Sequence, residues 1–224
     1  QSTVKVNATA GFSIVSYTVG NFSGMTMGHG LGVSPVIAIS KKRSGTSDWS
    51  VQFVNPSDNS TDYMFLNKTD AKGDTSTYFT STTVKDGFGT GANGDTIIQY
   101  VFSEVAGYSK FGSYVSNGAS SDNTFVFTGF RPAWVMIKAS STGGSTSYSW
   151  MILDNTREPF NSMFKRLQPN ESASETTNTG TTAYIDFLSN GFKIRGNGSL
   201  IGQSGVTYIY LCFAESPFKY ARAR

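Results

Sequence analysis

The chain has 224 residues: 38% are hydrophobic, 14% aromatic and only 15% charged, with a formal net charge of +3. Ordinary soluble domains are roughly 25% charged, so a fold dominated by solvated helices rich in Glu, Lys, Ala and Leu is excluded, and short strands joined by Gly-, Ser-, Thr- and Asn-rich turns are favoured. The one basic cluster, Lys41-Lys42-Arg43, falls short of a phosphate-tracking stripe, a single cysteine (Cys212) and a single histidine (His29) exclude an internal disulfide and an ordinary zinc site, and no apolar run is long enough for a membrane-spanning helix.

In chain order, Ser16-Tyr17 comes first. Pro35 then opens the apolar run Val36-Ile37-Ala38-Ile39, which ends at Lys41. A proline at the first position of a strand costs no ladder bond. Trp49-Ser50-Val51, Leu66, Asp86-Gly87-Phe88 and Phe102-Ser103-Glu104 follow. The second half repeats this order: Ser113-Tyr114, Pro132 opening Ala133-Trp134-Val135-Met136-Ile137 up to Lys138, Trp150-Met151-Ile152, Leu167, Asn190-Gly191-Phe192 and Phe213-Ala214-Glu215. Pro35 and Pro132 are separated by 97 residues, Trp49 and Trp150 by 101, Glu104 and Glu215 by 111. An offset that only grows describes a duplication whose second copy carries insertions. The expected fold is therefore all-β, with two related antiparallel β-sandwich, jelly-roll-like units in tandem over residues 1–108 and 109–224.

Two local features refine that expectation. Residues 207–213, Thr-Tyr-Ile-Tyr-Leu-Cys-Phe, are apolar on both alternating faces, the pattern of a strand covered on both sides. Asp86-Gly87, Asn93-Gly94, Asn117-Gly118 and Asn190-Gly191 are expected to supply the positive φ of tight turns. Residues 158–167 are expected to form a helical turn after Pro159. The chain opens on Gln1 and is expected to be a piece, or a processed product, of something longer.

No catalytic constellation emerges, and no cofactor or metal is expected. Glu104 and Glu215 sit one per half at matched strand ends, where capping by backbone N–H groups or an arginine is the simpler role than a glycosidase pair. Asp154 and Arg157 read as a turn. His29 lies in a glycine-rich turn with no Gly-x-Ser-x-Gly elbow to pair with it, and Cys212 lies in a core strand where a thiolate is disfavoured. Gly87-Phe88-Gly89-Thr90-Gly91 lacks the Lys-Ser/Thr and helix start of a phosphate loop. Trp49, Trp134 and Trp150 read as core. Tyr148 differs, because it falls in a loop, residues 139–149, longer than its counterpart. With Asn197 and Gln203 in the second inserted loop, residues 194–203, it is the candidate ligand contact, since insertions persist where backbone stays solvated.

Taken together, Ser113-Tyr114, Gly129-Phe130-Arg131-Pro132, Trp150-Met151-Ile152, Asp154-Asn155-Thr156-Arg157, Asn190-Gly191-Phe192 and Tyr208-Ile209-Tyr210 resemble a domain of unknown function in marine bacteriophage structural and tail-fibre proteins. The first half carries a weaker version that lacks Asp-x-x-Arg. The resemblance implies a virion surface protein and carries no catalytic residues over to this chain; the expectation is a tail-fibre or spike module that attaches to a host surface glycan or protein. The alternatives are a capsid or tail decoration protein and, against the lack of a carboxylate pair, a polysaccharide depolymerase. The expected partners are further copies of the chain, a trimer by analogy with fibres, and other virion proteins, without nucleic acid or membrane insertion.

Overall fold

The computed structural model describes residues 2–20, 25–55, 59–75, 79–86, 91–145, 148–177 and 183–216. Every strand pairing in it is antiparallel, and no α-helix occurs among the described residues. Two compact units divide the chain. One comprises Gln1–Asn67 with Lys72–Val105; the other comprises Lys68–Ala71 with Ala106–Arg224.

In the first unit the strands are β1 (Ser2–Asn7), β2 (Phe12–Thr18), β3 (Thr26–Gly28), β4 (Ile37–Lys42), β5 (Ser50–Val54), β6 (Thr61–Phe65), β7 (Gly73–Thr75), β8 (Thr83–Lys85) and β9 (Thr96–Phe102). Seven form one sheet in the order β1-β2-β9-β4-β5-β6-β7, while β3 and β8 pair separately. In β2 and β9, buried and less buried residues alternate, the period of two that a strand shows when one face meets a core. Val15, Tyr17, Ala38, Ile97 and Val101 on that face pack with Met27 and Val84 of the β3–β8 pair.

The second unit contains β10 (Ser109–Val115), β11 (Phe125–Phe127), β12 (Pro132–Ala139), β13 (Met151–Asp154), β14 (Lys165–Arg166), β15 (Thr176–Thr177), β16 (Ile185–Leu188), β17 (Gly191–Ile194) and β18 (Thr207–Ala214). A four-stranded sheet, β10-β18-β12-β13, faces a three-stranded sheet, β11-β17-β16. Tyr114, Val135, Ile137, Met151, Leu153, Tyr208, Tyr210 and Cys212 from the first layer enclose one core with Val126, Ile185, Phe187, Phe192 and Ile194 from the second. Tyr208 through Cys212 are all buried, as the two-faced apolar run in β18 requires.

The pairing registers of the two units run in parallel. In the first, Ser40 of β4 lies opposite Gln99 of β9 and Ser50 of β5; in the second, Ile137 of β12 lies opposite Tyr210 of β18 and Met151 of β13. The Trp49 N–H donates to Asn67 Oδ1 (2.9 Å), and the Trp150 N–H donates to Asn170 Oδ1 (2.8 Å).

Val84 opposes Met27 and bridges Phe79, just as Phe192 opposes Val126 and pairs with Phe187. The match of Asp86-Gly87-Phe88 to Asn190-Gly191-Phe192 falls on Gly87 and Phe88, which lie outside the described residues. Two sequence expectations need correction, at residues 158–167 and at Gly191. Residues 158–167 form no helical turn: Met163 bridges Ile185 and Leu167 bridges Ile152, because exposed backbone beside two sheet edges is better satisfied by ladder bonds. Gly94 and Gly118 do carry positive φ, but Gly191 does not. It is glycine for close approach, since a Cβ there would stand 2.1 Å from the Val126 carbonyl oxygen.

Candidate functional site

The inserted loops of the second unit meet at one end of its sandwich. Residues 195–206 leave β17 and return to β18 as a folded rather than a free loop. Its carbonyls are held by side chains buried beneath it: Tyr114 Oη donates to Ile201 O (2.8 Å), Tyr208 Oη to Ser199 O (2.9 Å), and Asn123 Nδ2 to both Gly196 O and Gly202 O (3.0 Å each). Ser116 Oγ donates to Gly202 O (2.6 Å), and Asn123 Oδ1 accepts the Thr124 N–H (2.7 Å). Asn123 is 1% exposed, so its amide is committed to this loop and not to solvent.

On this scaffold Tyr148 and Gln203 come into direct contact. The Tyr148 hydroxyl donates to Gln203 Oε1 (3.1 Å), and the Gln203 N–H donates to Tyr208 Oη (3.0 Å). Both are half-buried, and Tyr148 also packs on the core. Asn197 is exposed on the same loop. Burial pushes the Tyr208 hydroxyl up to about 12 and the Tyr114 hydroxyl well above the ordinary tyrosine range, so both stay neutral donors. Tyr148, Gln203 and Asn197 therefore present hydroxyl and amide groups with no charge of their own. Such a surface can hydrogen-bond a neutral polar ligand, and none of its groups is a strong nucleophile or general base.

The 139–149 loop is not solvated throughout. Gly143 lies against the backbone of Asp70 and Ala71, and the Gly144 N–H donates to Thr69 O (3.1 Å). Beneath this contact lies Lys138, fully buried, whose ammonium donates to Thr69 O (3.2 Å), Asp70 O (3.0 Å) and Ala139 O (2.8 Å). Burial pulls it down to about 8. Nothing in a strand ending in Lys announced that this side chain would be buried.

The remaining candidates occupy structural places. Arg131 Nε pairs with Glu215 (3.2 Å), and Asn155 Nδ2 donates to the same carboxylate (3.1 Å). Glu104 is exposed at its own strand end. Arg157 Nε pairs with Asp154 (2.6 Å), whose other oxygen accepts the Thr156 and Arg157 N–H groups, which makes a closed turn. His29 is buried; its Nδ1 accepts the Leu31 N–H (3.1 Å), which leaves Nε2 to donate to Thr80 O (3.0 Å). Burial raises the Cys212 thiol far above its ordinary range. Pro35, Pro132 and Trp150 are buried, whereas Trp49 is half-buried with the Lys41 ammonium 5.6 Å from its ring. Among the described residues no group of three or more His, Cys, Asp or Glu side chains is arranged to hold a metal ion.

No curated protein and no solved structure matches the chain. The profile of the family described as "Domain of unknown function (DUF7483)" matches residues 1–217, and the chain belongs to that family.

Proposed function

We propose that the chain is a bacteriophage virion surface protein, a tail-fibre or spike module that attaches to the host cell surface, and that its two units are repeats of one module. The observation that carries the attachment reading is the loop at residues 195–206, locked from below by Tyr114, Ser116, Asn123 and Tyr208 while Asn197 and the Tyr148–Gln203 pair stand at its surface. A recognition surface loses least affinity when its loops are ordered before the ligand arrives. Uncharged hydroxyl and amide groups suit a glycan. The shared registers of β2-β9-β4-β5 and β10-β18-β12-β13 support the repeat.

The module acts by binding and not by bond cleavage, and it works as an oligomer, with a trimer favoured. Phe127 and Phe160 are 62% and 80% exposed, apolar surface of the kind that subunit packing covers. The test is adsorption of the purified chain to host cells. Wild type is expected to bind, and the double substitution Tyr148→Ala with Gln203→Ala to lower binding about tenfold, the loss of roughly 1.4 kcal/mol that one or two hydrogen bonds account for. Equal adsorption of both proteins would move the contact elsewhere, and release of soluble fragments from host polysaccharide would replace binding with catalysis.

A further inference from the structure

In the first unit, the sheet face that meets β3 and β8 changes character partway across. Ser13, Ser40, Ser50, Gln52 and Gln99 lie on it, all fully buried. The register sets Gln99, Ser40 and Ser50 side by side across β9, β4 and β5, with Ser13 and Gln52 in the next row, flanking Val101 and Ala38. Gln99 Nε2 donates to Lys85 O (3.3 Å). Ser13 Oγ, Ser40 Oγ, Ser50 Oγ and Gln99 Oε1 have no hydrogen-bond partner among the described residues. Buried polar groups are almost always satisfied, and four orphans on one face of one sheet exceed what a small, marginally stable unit carries dry.

The second unit shows what an apolar version of this face looks like. At the positions made equivalent by the pairing registers it has Ile137 for Ser40, Met151 for Ser50, Tyr210 for Gln99, Leu153 for Gln52 and Val135 for Ala38, all buried in its core. All five exchanges make the first unit's side chain smaller, and four of them put Ser or Gln there. Volume is removed where hydroxyl and amide groups are introduced, and together these are the two conditions for an internal guest. None of the five polar side chains is ionisable, so the chemistry offered is that of neutral donors and acceptors.

We propose that this face is an internal binding site for neutral hydroxyl groups, those of ordered water or of a sugar. Hydroxyl groups both donate and accept, which matches three serine hydroxyls beside an amide oxygen that only accepts. Water enters a closed site without rearrangement of the sheet; the sugar alternative rests on the glycan reading above, and the water alternative does not.

The experiment is a high-resolution crystal structure of the whole chain, free and soaked with glucose, galactose or N-acetylglucosamine, together with thermal melts of the double variant Ser40→Ala/Ser50→Ala. Density bridging Ser40 Oγ, Ser50 Oγ and Gln99 Oε1 is expected in the free crystal. Its displacement by a sugar assigns a saccharide, and its persistence assigns water. A dry, closed face would overturn the proposal. The variant is expected to melt below wild type, because satisfied hydroxyls are lost; a higher melting temperature would show that they had no partners and would overturn it independently. Adsorption of the wild-type chain to host cells tests the attachment reading separately, so failure of either leaves the other standing.

Discussion

Lys138 illustrates what a single side chain does here and why the sequence hid it. It follows an apolar run near the end of β12, where a lysine ordinarily reaches solvent, yet it is fully buried and donates to three carbonyls, two of them in Lys68–Ala71. Burial lowers it from 10.5 to about 8. Between those values the unfolded chain holds a proton that the folded chain has released, so stability rises with pH across that window. The melting temperature of wild type is expected to climb from pH 8 toward pH 10, before the raised tyrosines Tyr114 and Tyr208 act in the opposite sense. Lys138→Met should flatten that climb, and an identical pH profile in both proteins would refute the assignment. Trp150 is fully buried, whereas Trp49 and Trp134, read as core with it, are only half-buried. Trp150→Ala is expected to cost roughly 3–5 kcal/mol in denaturant unfolding, the range for large aromatic truncations in cores. Burial of Cys212 was legible because it lies in a strand apolar on both faces. The polar inner face of the first unit was not, because Ser40, Ser50, Gln52 and Gln99 are scattered in sequence and become neighbours only through the register of β9, β4 and β5.

At the scale of elements, the strands around Pro35 and Pro132 and the closing strands β9 and β18 were readable from short apolar runs bounded by turn residues. Residues 158–167 misled because Pro159 is compatible with a helix start, and only the sheet edges at Ile152 and Ile185 decide otherwise. The folding of residues 194–203 was not readable, since it depends on Ser116 and Asn123 some eighty residues earlier. Asn123→Ala removes two donors to Gly196 O and Gly202 O and should cost about 1–3 kcal/mol. Amide hydrogen exchange at residues 198–206 is expected to accelerate in that variant while β18 stays protected; unchanged exchange in the loop would show that Asn123 does not hold it.

At the scale of the molecule, the all-β class followed from composition, and the chain divides into two compact units. The allocation of Lys68–Ala71 to the second unit did not follow, because Asn67-Lys68-Thr69-Asp70-Ala71-Lys72 reads as an ordinary polar connection and its carbonyls find Lys138 only in three dimensions. An oligomer is expected from light scattering, and a monomer that persists at high concentration would count against burial of Phe127 and Phe160 between subunits. The central claim is that this is a host-attachment module on a virion, with the second unit's locked loop as its contact surface. Cryo-electron microscopy of the native particle tests it most directly. The chain is expected at the distal end of a fibre or spike, with Tyr148, Asn197 and Gln203 facing outward; a regular lattice of the chain over the capsid shell, with those residues covered by neighbouring subunits, would contradict the proposal.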